Sequence, residues 1–329
     1  MNVLITNVGR RGYLVDFLRN TPDFNGKIYV SDCCKSASGL FSDNDGAFYL
    51  PKPLNDENLY IQELVKLCHK LDVSIVFPVI DPEIDILSRY VDELKRENIN
   101  VVVSDSRVLG IAYNKLMMNK FLEDNGFNVP KTYTDLESFN KAFESSEISF
   151  PVILKPIYGS GSAETYKIKS IEQLKGLFHE GLMIQHLIVG HEYGCDVLNN
   201  LEKEPVRCVV KRKLSMRAGE TDKAITVKDK RIQNEAIRLG RCLGHIGNLD
   251  SDVLDDGDKL YFIDLNPRFG GGYPITHSSG VNYLDLIIKM YQGEKISPDF
   301  ENYNEDVLVM KTVSIKTAKI EKGSIEEYE

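Results

Sequence analysis

The chain has 329 residues, more than one compact core usually holds, and a prior of ~150 residues per domain divides it into two or three lobes. Its 40 basic and 49 acidic residues leave a net charge of -9, which excludes a surface built mainly to neutralise a phosphate backbone, so no nucleic-acid partner is expected. Apolar residues make up 42%, and no apolar run approaches the ~18 residues that a membrane helix needs, so no membrane partner is expected either. The opening MNVLITNVGRRGYL reads as a strand and a turn, not as a secretory leader, and the expected location is the cytoplasm. Six scattered cysteines without a CxxC pair fit buried thiols better than a disulfide framework or a zinc site.

Residues Asn2 to Val8 form an apolar β-rich run closed by Gly9, and Tyr13 to Arg19 then carries apolar residues at helical spacing. The unit recurs. Lys27 to Ser31 is a strand, Leu59 to Leu71 an amphipathic helix, Ser74 to Pro78 a buried strand, Glu83 to Lys95 a helix and Asn100 to Val103 a strand. Such alternation predicts a parallel sheet covered on both faces. The stretch Ser36 to Asp56 reads as a loop with one short strand, and a long helix is predicted from Ser106 to Asn125, stopped by Gly126 and Pro130. Beyond it come a strand at Pro151 to Lys155, a glycine-serine loop at Tyr158 to Ala163, a strand at Thr165 to Lys169 and a short helix at Ile171 to Phe178. From Leu182 to Arg212 strands follow one another, Lys230 to Leu243 is a helix, and Leu249 to Leu265 is a hairpin turned at Asp255 to Asp258. Strands in runs predict an antiparallel sheet, so the first part is α/β and the second α+β.

Three segments can carry chemistry. Gly9-Arg10-Arg11-Gly12 follows the first strand and Asp32 ends the second, but the spacing is not the G-x-G-x-x-G of a dinucleotide site; the arginines can still bind an anionic substrate there. Lys155, ending the apolar strand Val152-Ile153-Leu154, is followed by Gly159-Ser160-Gly161-Ser162. An ammonium and a loop of backbone N–H groups can hold one phosphate together, although the loop can equally be a hairpin turn. In the string Asp264-Leu265-Asn266-Pro267-Arg268-Phe269-Gly270-Gly271-Gly272, Asp264 and Asn266 stand two apart on a strand and share a face. Oxygen ligands of this kind suit Mg2+, Asp250 or Asp252 can complete the set from across the hairpin, and Arg268 can take a γ-phosphate.

These motifs resemble the ATP-grasp superfamily, and within it the large subunit of carbamoyl phosphate synthetase. The resemblance implies a Rossmann-like N-terminal domain at 1–110, a small lid subdomain at 111–182, and a large subdomain at 183–329 with the metal hairpin, the nucleotide lying between two antiparallel sheets. Position by position, it implies that Lys115 and Lys155 hold ATP phosphates, and that Gln185, His186, Leu187 and Ile188 form the strand meeting the adenine edge. Glu192 would hold the ribose, Asp252, Asp264 and Asn266 the Mg2+ (or Mn2+), and Arg268 a phosphate. The implied reaction transfers the γ-phosphoryl of ATP to a small carboxylate and couples the acyl phosphate to an amine or similar nucleophile, releasing ADP. The acceptor would sit near Gly270, Gly271 and Tyr273, with Arg212, Arg217 and Lys223 as candidate partners or simply a solvated edge; a homodimer is compatible with all of this. Two other readings stay open: an NAD(P)-dependent oxidoreductase using the N-terminal domain, and an ATP-binding regulatory module without turnover.

Overall fold

In the computed structural model, which describes residues 1–159 and 164–317, three sheets surround one cleft. The first part contains β1 (Asn2–Thr6), α1 (Tyr13–Arg19), β2 (Ile28–Asp32), β3 (Gly46–Tyr49), α2 (Glu57–Leu71), β4 (Val73–Pro78), α3 (Asp81–Arg89), α4 (Val91–Arg96) and β5 (Asn100–Val101). Its five strands are parallel in the order β3-β2-β1-β4-β5, so the strand order reverses between β1 and β4, where crevices of doubly wound sheets receive ligands. The helix expected at Glu83 to Lys95 is two, parted at Tyr90, whose φ of −109° and ψ of 8° leave the helical region. A short 3-10 turn, Ser38–Phe41, stands where the loop was expected and covers the glycine turn: the Gly39 N–H donates to the Gly9 carbonyl at 2.7 Å. Asp32 accepts from the Gly9 N–H at 2.7 Å and the Cys34 N–H at 2.8 Å, so its carboxylate fastens the turn.

The connecting helix is also broken in two, α5 (Ser106–Tyr113) and α6 (Lys115–Asp124). Asn114 between them is extended, with φ −111° and ψ 107°, and its side-chain oxygen accepts from the N–H groups of Leu116 and Met117. An Asn in this role is a strong helix N-cap, and apolar periodicity alone does not reveal the restart. The break sets Lys115 at the first position of α6, with its backbone N–H on the Ile157 carbonyl at 2.9 Å.

The small lobe comprises β6 (Thr132–Tyr133), α7 (Leu136–Glu144), β7 (Val152–Pro156), β8 (Tyr166–Ile168), α8 (Ile171–Leu177) and β9 (Leu182–His186), its strands antiparallel in the order β6-β9-β7-β8. It closes its own core around Phe139, Val152, Leu154, Ile168, Leu174 and Ile184. The large lobe comprises β10 (His191–Asn199), β11 (Pro205–Arg217), β12 (Glu220–Val227), α9 (Lys230–Leu243), β13 (Gly247–Asp255), β14 (Leu260–Asn266), α10 (Tyr273–Ser278), α11 (Tyr283–Tyr291) and β15 (Leu308–Met310). Its antiparallel sheet runs β14-β13-β10-β11-β12-β15.

Two shared cores fix how the lobes meet. Val108, Ile111, Met118 and Leu122 of α5 and α6 pack with Ile232, Leu239, Val253 and Phe262, so this segment, which the expected boundary at 110/111 divides between the first domain and the lid, shares the core of the large sheet. Leu14 and Leu18 of α1 pack with Tyr283, Leu284 and Ile287 of α11 and with Val206 and Val209 of β11, joining the parallel sheet to the large one. Among the described residues no helix is long and apolar enough to cross a membrane.

Beneath the large sheet's glycine turn lies a buried ion pair. The Lys211 ammonium bonds the Asp196 carboxylate and donates to the Gly272 carbonyl and the Thr276 hydroxyl, each at 3.2 Å, with both charged side chains fully buried. Gly194 makes room for it, since a Cβ there would stand 2.8 Å from Lys211 Cε. Lys211→Ala strands the Asp196 carboxylate and is expected to destabilise the protein by about 3–5 kcal/mol in urea unfolding, whereas a Lys211→Met/Asp196→Leu pair should recover most of the loss. A loss under about 1 kcal/mol for Lys211→Ala would show that the pair is not a buried, dry one.

Candidate active site

The three sheets leave between them a cleft of about 800 Å3. Its wall gathers Lys115 and Lys155, the β9 edge from Gln185 to Ile188, Glu192, Asp252, Asp264, Asn266, Arg268, Gly159 and Gly271. Ser160, Gly161 and Ser162, the rest of the glycine-serine loop, lie outside the described residues.

The hairpin register brings the carboxylates together. Asp252 of β13 is the direct cross-strand partner of Asp264 of β14, and Asp250 that of Asn266. Burial first, and then the neighbouring Asp250 and Asp264 carboxylates, push Asp252 up to about 7, against the pull of Lys213. Lys213 of β11 lies 2.6 Å from Asp252 and 2.8 Å from Glu192. Burial opposes its charge, but the two carboxylates outweigh burial and raise its pKa. The Asn266 amide donates to Asp264 at 3.2 Å and its oxygen accepts from Arg268 at 3.1 Å. Two carboxylates and an amide oxygen that face one cleft fit a hard divalent ion, which is normally held by one or two carboxylates plus the phosphates of its nucleotide, although Lys213 and Lys115 now stand beside the two carboxylates.

Lys155 approaches from β7 of the small lobe and Lys115 from the first turn of α6. Lys115 donates to the Gly159 carbonyl and lies 3.7 Å from Asp264. Lys155 is 9% exposed, and burial, with Lys115 beside it, lowers its pKa to about 8 in spite of Asp264 and Asp252. Gln185 is buried and donates from its amide to the Thr132 hydroxyl at 3.1 Å, while the His186 N–H donates to the Lys131 carbonyl at 2.8 Å. Between the two antiparallel sheets, Ile153, Leu187, Ile188, Leu254 and Ile263 give the cleft an apolar slot.

Arg268 lines the cleft, yet its guanidinium is engaged. It bonds both oxygens of Asp81, the first residue of α3, so the parallel sheet's switch point is tied to the end of the β13–β14 hairpin. Burial disfavours its charge, but Asp81 more than compensates and drives the pKa upward.

The candidate acceptor residues are not all here. Arg212 and Lys223 are exposed and absent from the cleft wall, and Arg217 is paired with Asp222 at 3.1 Å. The reason is strand parity. Lys211 and Lys213 point inward along β11, so Arg212 between them points outward. Tyr273 is fully buried, its hydroxyl accepting from the Tyr283 N–H at 2.9 Å, and belongs to the core below the cleft. Lys213, Glu220 and Asp81 do line the cleft without having been singled out in the sequence. Reading inward parity from the apolar Val209 would have found Lys213; Asp81 carries no local signal, because Arg268, which ties it to the hairpin, is 187 residues away.

Comparison with known proteins agrees with this architecture. Residues 112–272 match the model of an ATP-grasp domain and residues 3–102 that of a PylC-like N-terminal domain. A carbamoyl-phosphate synthase of Methanobrevibacter smithii is 24% identical over 274 residues, covering 78% of this chain and 72% of that protein. Among solved structures, Rhizobium etli pyruvate carboxylase superposes with a TM-score of 0.72 at 16% identity, over 94% of this chain but only 30% of that one. The biotin carboxylase of Campylobacter jejuni in complex with β-γ-ATP gives 0.71 at 15% identity, over 92% of this chain and 73% of that one. With an ATP-grasp domain on its two antiparallel lobes and a PylC-like domain on its parallel sheet, the chain belongs to the ATP-grasp superfamily of ligases.

Proposed function

We propose that this protein is an ADP-forming ligase that phosphorylates a small carboxylate with ATP and passes the acyl group to an amine or similar nucleophile. The observation that carries the reading is the convergence of Lys115, Lys155, Asp252, Asp264 and Asn266 on one cleft with an apolar slot beside them. The nucleotide complex of the Campylobacter relative supports ATP as the ligand of that slot. In this reading Ile153 and Ile263 enclose the base, Glu192 accepts from the ribose hydroxyls, and Lys155 and Lys115 neutralise the phosphates. Asp252, Asp264 and Asn266 would hold Mg2+ or Mn2+, which when bound neutralises charge on the outer phosphates during transfer.

Phosphoryl transfer asks a protein for position and charge rather than for covalent help. Lys115 is held by the Gly159 carbonyl and by Asp264, so its ammonium is already placed before nucleotide arrives. Lys155 makes no direct ion pair among the described residues, Asp264 and Asp252 acting on it only from a distance, and a triphosphate would supply a counter-charge in contact with it. Arg268 orients Asn266 through their 3.1 Å bond and holds Asp81 across the domain junction. The fastened glycine turn at Gly9 speaks against the oxidoreductase reading, since chain at Gly39 stands where a dinucleotide pyrophosphate would approach.

An acyl phosphate is electrophilic, whereas a bound nucleotide is not. With Mg2+, ATP and a panel of small carboxylates, hydroxylamine is expected to trap a hydroxamate, with ADP as the nucleotide product. AMP would instead indicate an adenylate. Tight ATP binding with no hydroxamate across the panel would favour the regulatory module.

A further inference from the structure

At the end of the cleft where the turn after β1 enters, several cations surround one carboxylate. Glu220, the first residue of β12, lies 3.7 Å from Arg11, 3.8 Å from Arg10 and 3.4 Å from Lys311 just past β15. Arg10 is 75% exposed and contributes little, but the Arg11 and Lys311 side chains are only 18% and 23% exposed. All three contacts are looser than a charge-assisted hydrogen bond of about 2.7–2.9 Å. The Arg11 Nε–H is buried and meets no acceptor. Glu220, helped at Lys311 by the Asp250 carboxylate, is shared among three cations, and a buried guanidinium donor of Arg11 is left over, a costly arrangement unless a further acceptor arrives.

The place of this cluster matters as much as its charge. Arg11 sits at the switch point of the parallel sheet, where doubly wound domains receive ligands. Glu220 reaches in only because Gly271 has no side chain: a Cβ there would stand 2.8 Å from the Glu220 carboxyl. Gly271 in turn follows the Asn266 to Arg268 string, so the cluster adjoins the end of the cleft at which transfer would occur.

We propose that Arg11 and Lys311 receive a second anionic group of the acceptor substrate, a carboxylate or phosphate distinct from the carboxylate that is phosphorylated. Glu220 occupies that place as an internal stand-in and is displaced when substrate binds. The inference rests on the ligase reading and narrows its substrate to molecules carrying two acid groups, one at the metal hairpin and one at the domain junction.

The test uses the full chain, with and without saturating MgADP, in calorimetric titrations with malonate and with inorganic phosphate. Glu220→Gln removes the competing carboxylate and is expected to tighten binding of the favoured probe by about fivefold or more, while Arg11→Ala and Lys311→Ala weaken it by about tenfold. Which probe responds distinguishes a carboxylate from a phosphate as the second group. In Arg11→Ala/Glu220→Gln the gain should vanish. Equal or weaker binding in Glu220→Gln, unchanged binding in Arg11→Ala and Lys311→Ala, or no binding of either probe to wild type and Glu220→Gln would each overturn the proposal. MgADP titrated into the same samples separates the two readings: nucleotide binding with flat oxyanion titrations strikes this inference alone, and absent nucleotide binding strikes the ligase.

Discussion

Lys155→Ala is expected to cut ADP release by about 10^2- to 10^3-fold while leaving the folded protein at least as stable as before. The two halves of this result have one cause. Lys155 is 9% exposed, and burial and the Lys115 charge lower its pKa from 10.5 to about 8. A lysine whose pKa falls on folding destabilises the native state wherever it is charged in both states, that is below pH about 8, and the penalty fades as pH rises toward 10.5. Removing the ammonium relieves that penalty, worth on the order of 3 kcal/mol at most. Urea unfolding at pH 7 and pH 10 checks it: the gain from Lys155→Ala should be present at the first and small at the second. On the ligase reading, ATP affinity of the wild type should fall as pH rises past about 8, because Lys155 of the free protein then loses the charge proposed to meet the phosphates. A variant that is less stable at pH 7 and still turns over would show Lys155 to be a core residue and not a phosphate ligand.

Much of the candidate site is legible in the sequence because charged residues stand where an apolar strand or a tight turn would not otherwise carry them. Lys155 after Val152-Ile153-Leu154 and the string from Asp264 to Arg268 are such places, and the hairpin of β13 and β14 needs only its turn residues and alternation to be recognised. The α9 boundaries at Lys230 and Leu243 follow from Asp229 capping the start and Gly244, at φ +67°, ending it. What escapes is set by long-range packing. Asn114 interrupts an unbroken apolar period, and the pairing of Lys115 with Ile157 that makes the interruption useful is a tertiary contact. The exposed Leu214 and Met216 blur the alternation of β11, where the strand shifts register near Ser215, so that Arg212 looks as eligible as Lys213. The core shared by α1 and α11 joins residues some 270 apart, and no local pattern announces it.

Asp264→Ala is expected to raise the Mg2+ concentration needed for half-maximal turnover by about 10- to 100-fold, the largest effect of any carboxylate in the hairpin. Asp264 is the shared partner: it faces Asp252 across the strands, accepts from Asn266 at 3.2 Å and lies 3.7 Å from Lys115. Asp252→Ala should follow it closely, since that carboxylate faces Asp264 and no other acidic residue of the hairpin does. It should also release Lys213, which keeps Glu192 at 2.8 Å as its remaining partner, so that variant is expected to alter nucleotide affinity along with the metal requirement. Asp250 is placed differently. It pairs with Asn266, and a Cβ on Gly270 would stand 1.7 Å from its Oδ2, so its carboxylate fills the space above the glycine turn, where the proposed acceptor would sit. Asp250→Ala should therefore raise the KM of the acceptor more than the Mg2+ requirement. A Mg2+ titration of the three variants at saturating ATP decides the matter: if Asp250→Ala shifts the metal dependence most, the ion is held one cross-strand pair further along, between Asp250 and Asn266, and the Asp252–Lys213 contact is a structural ion pair.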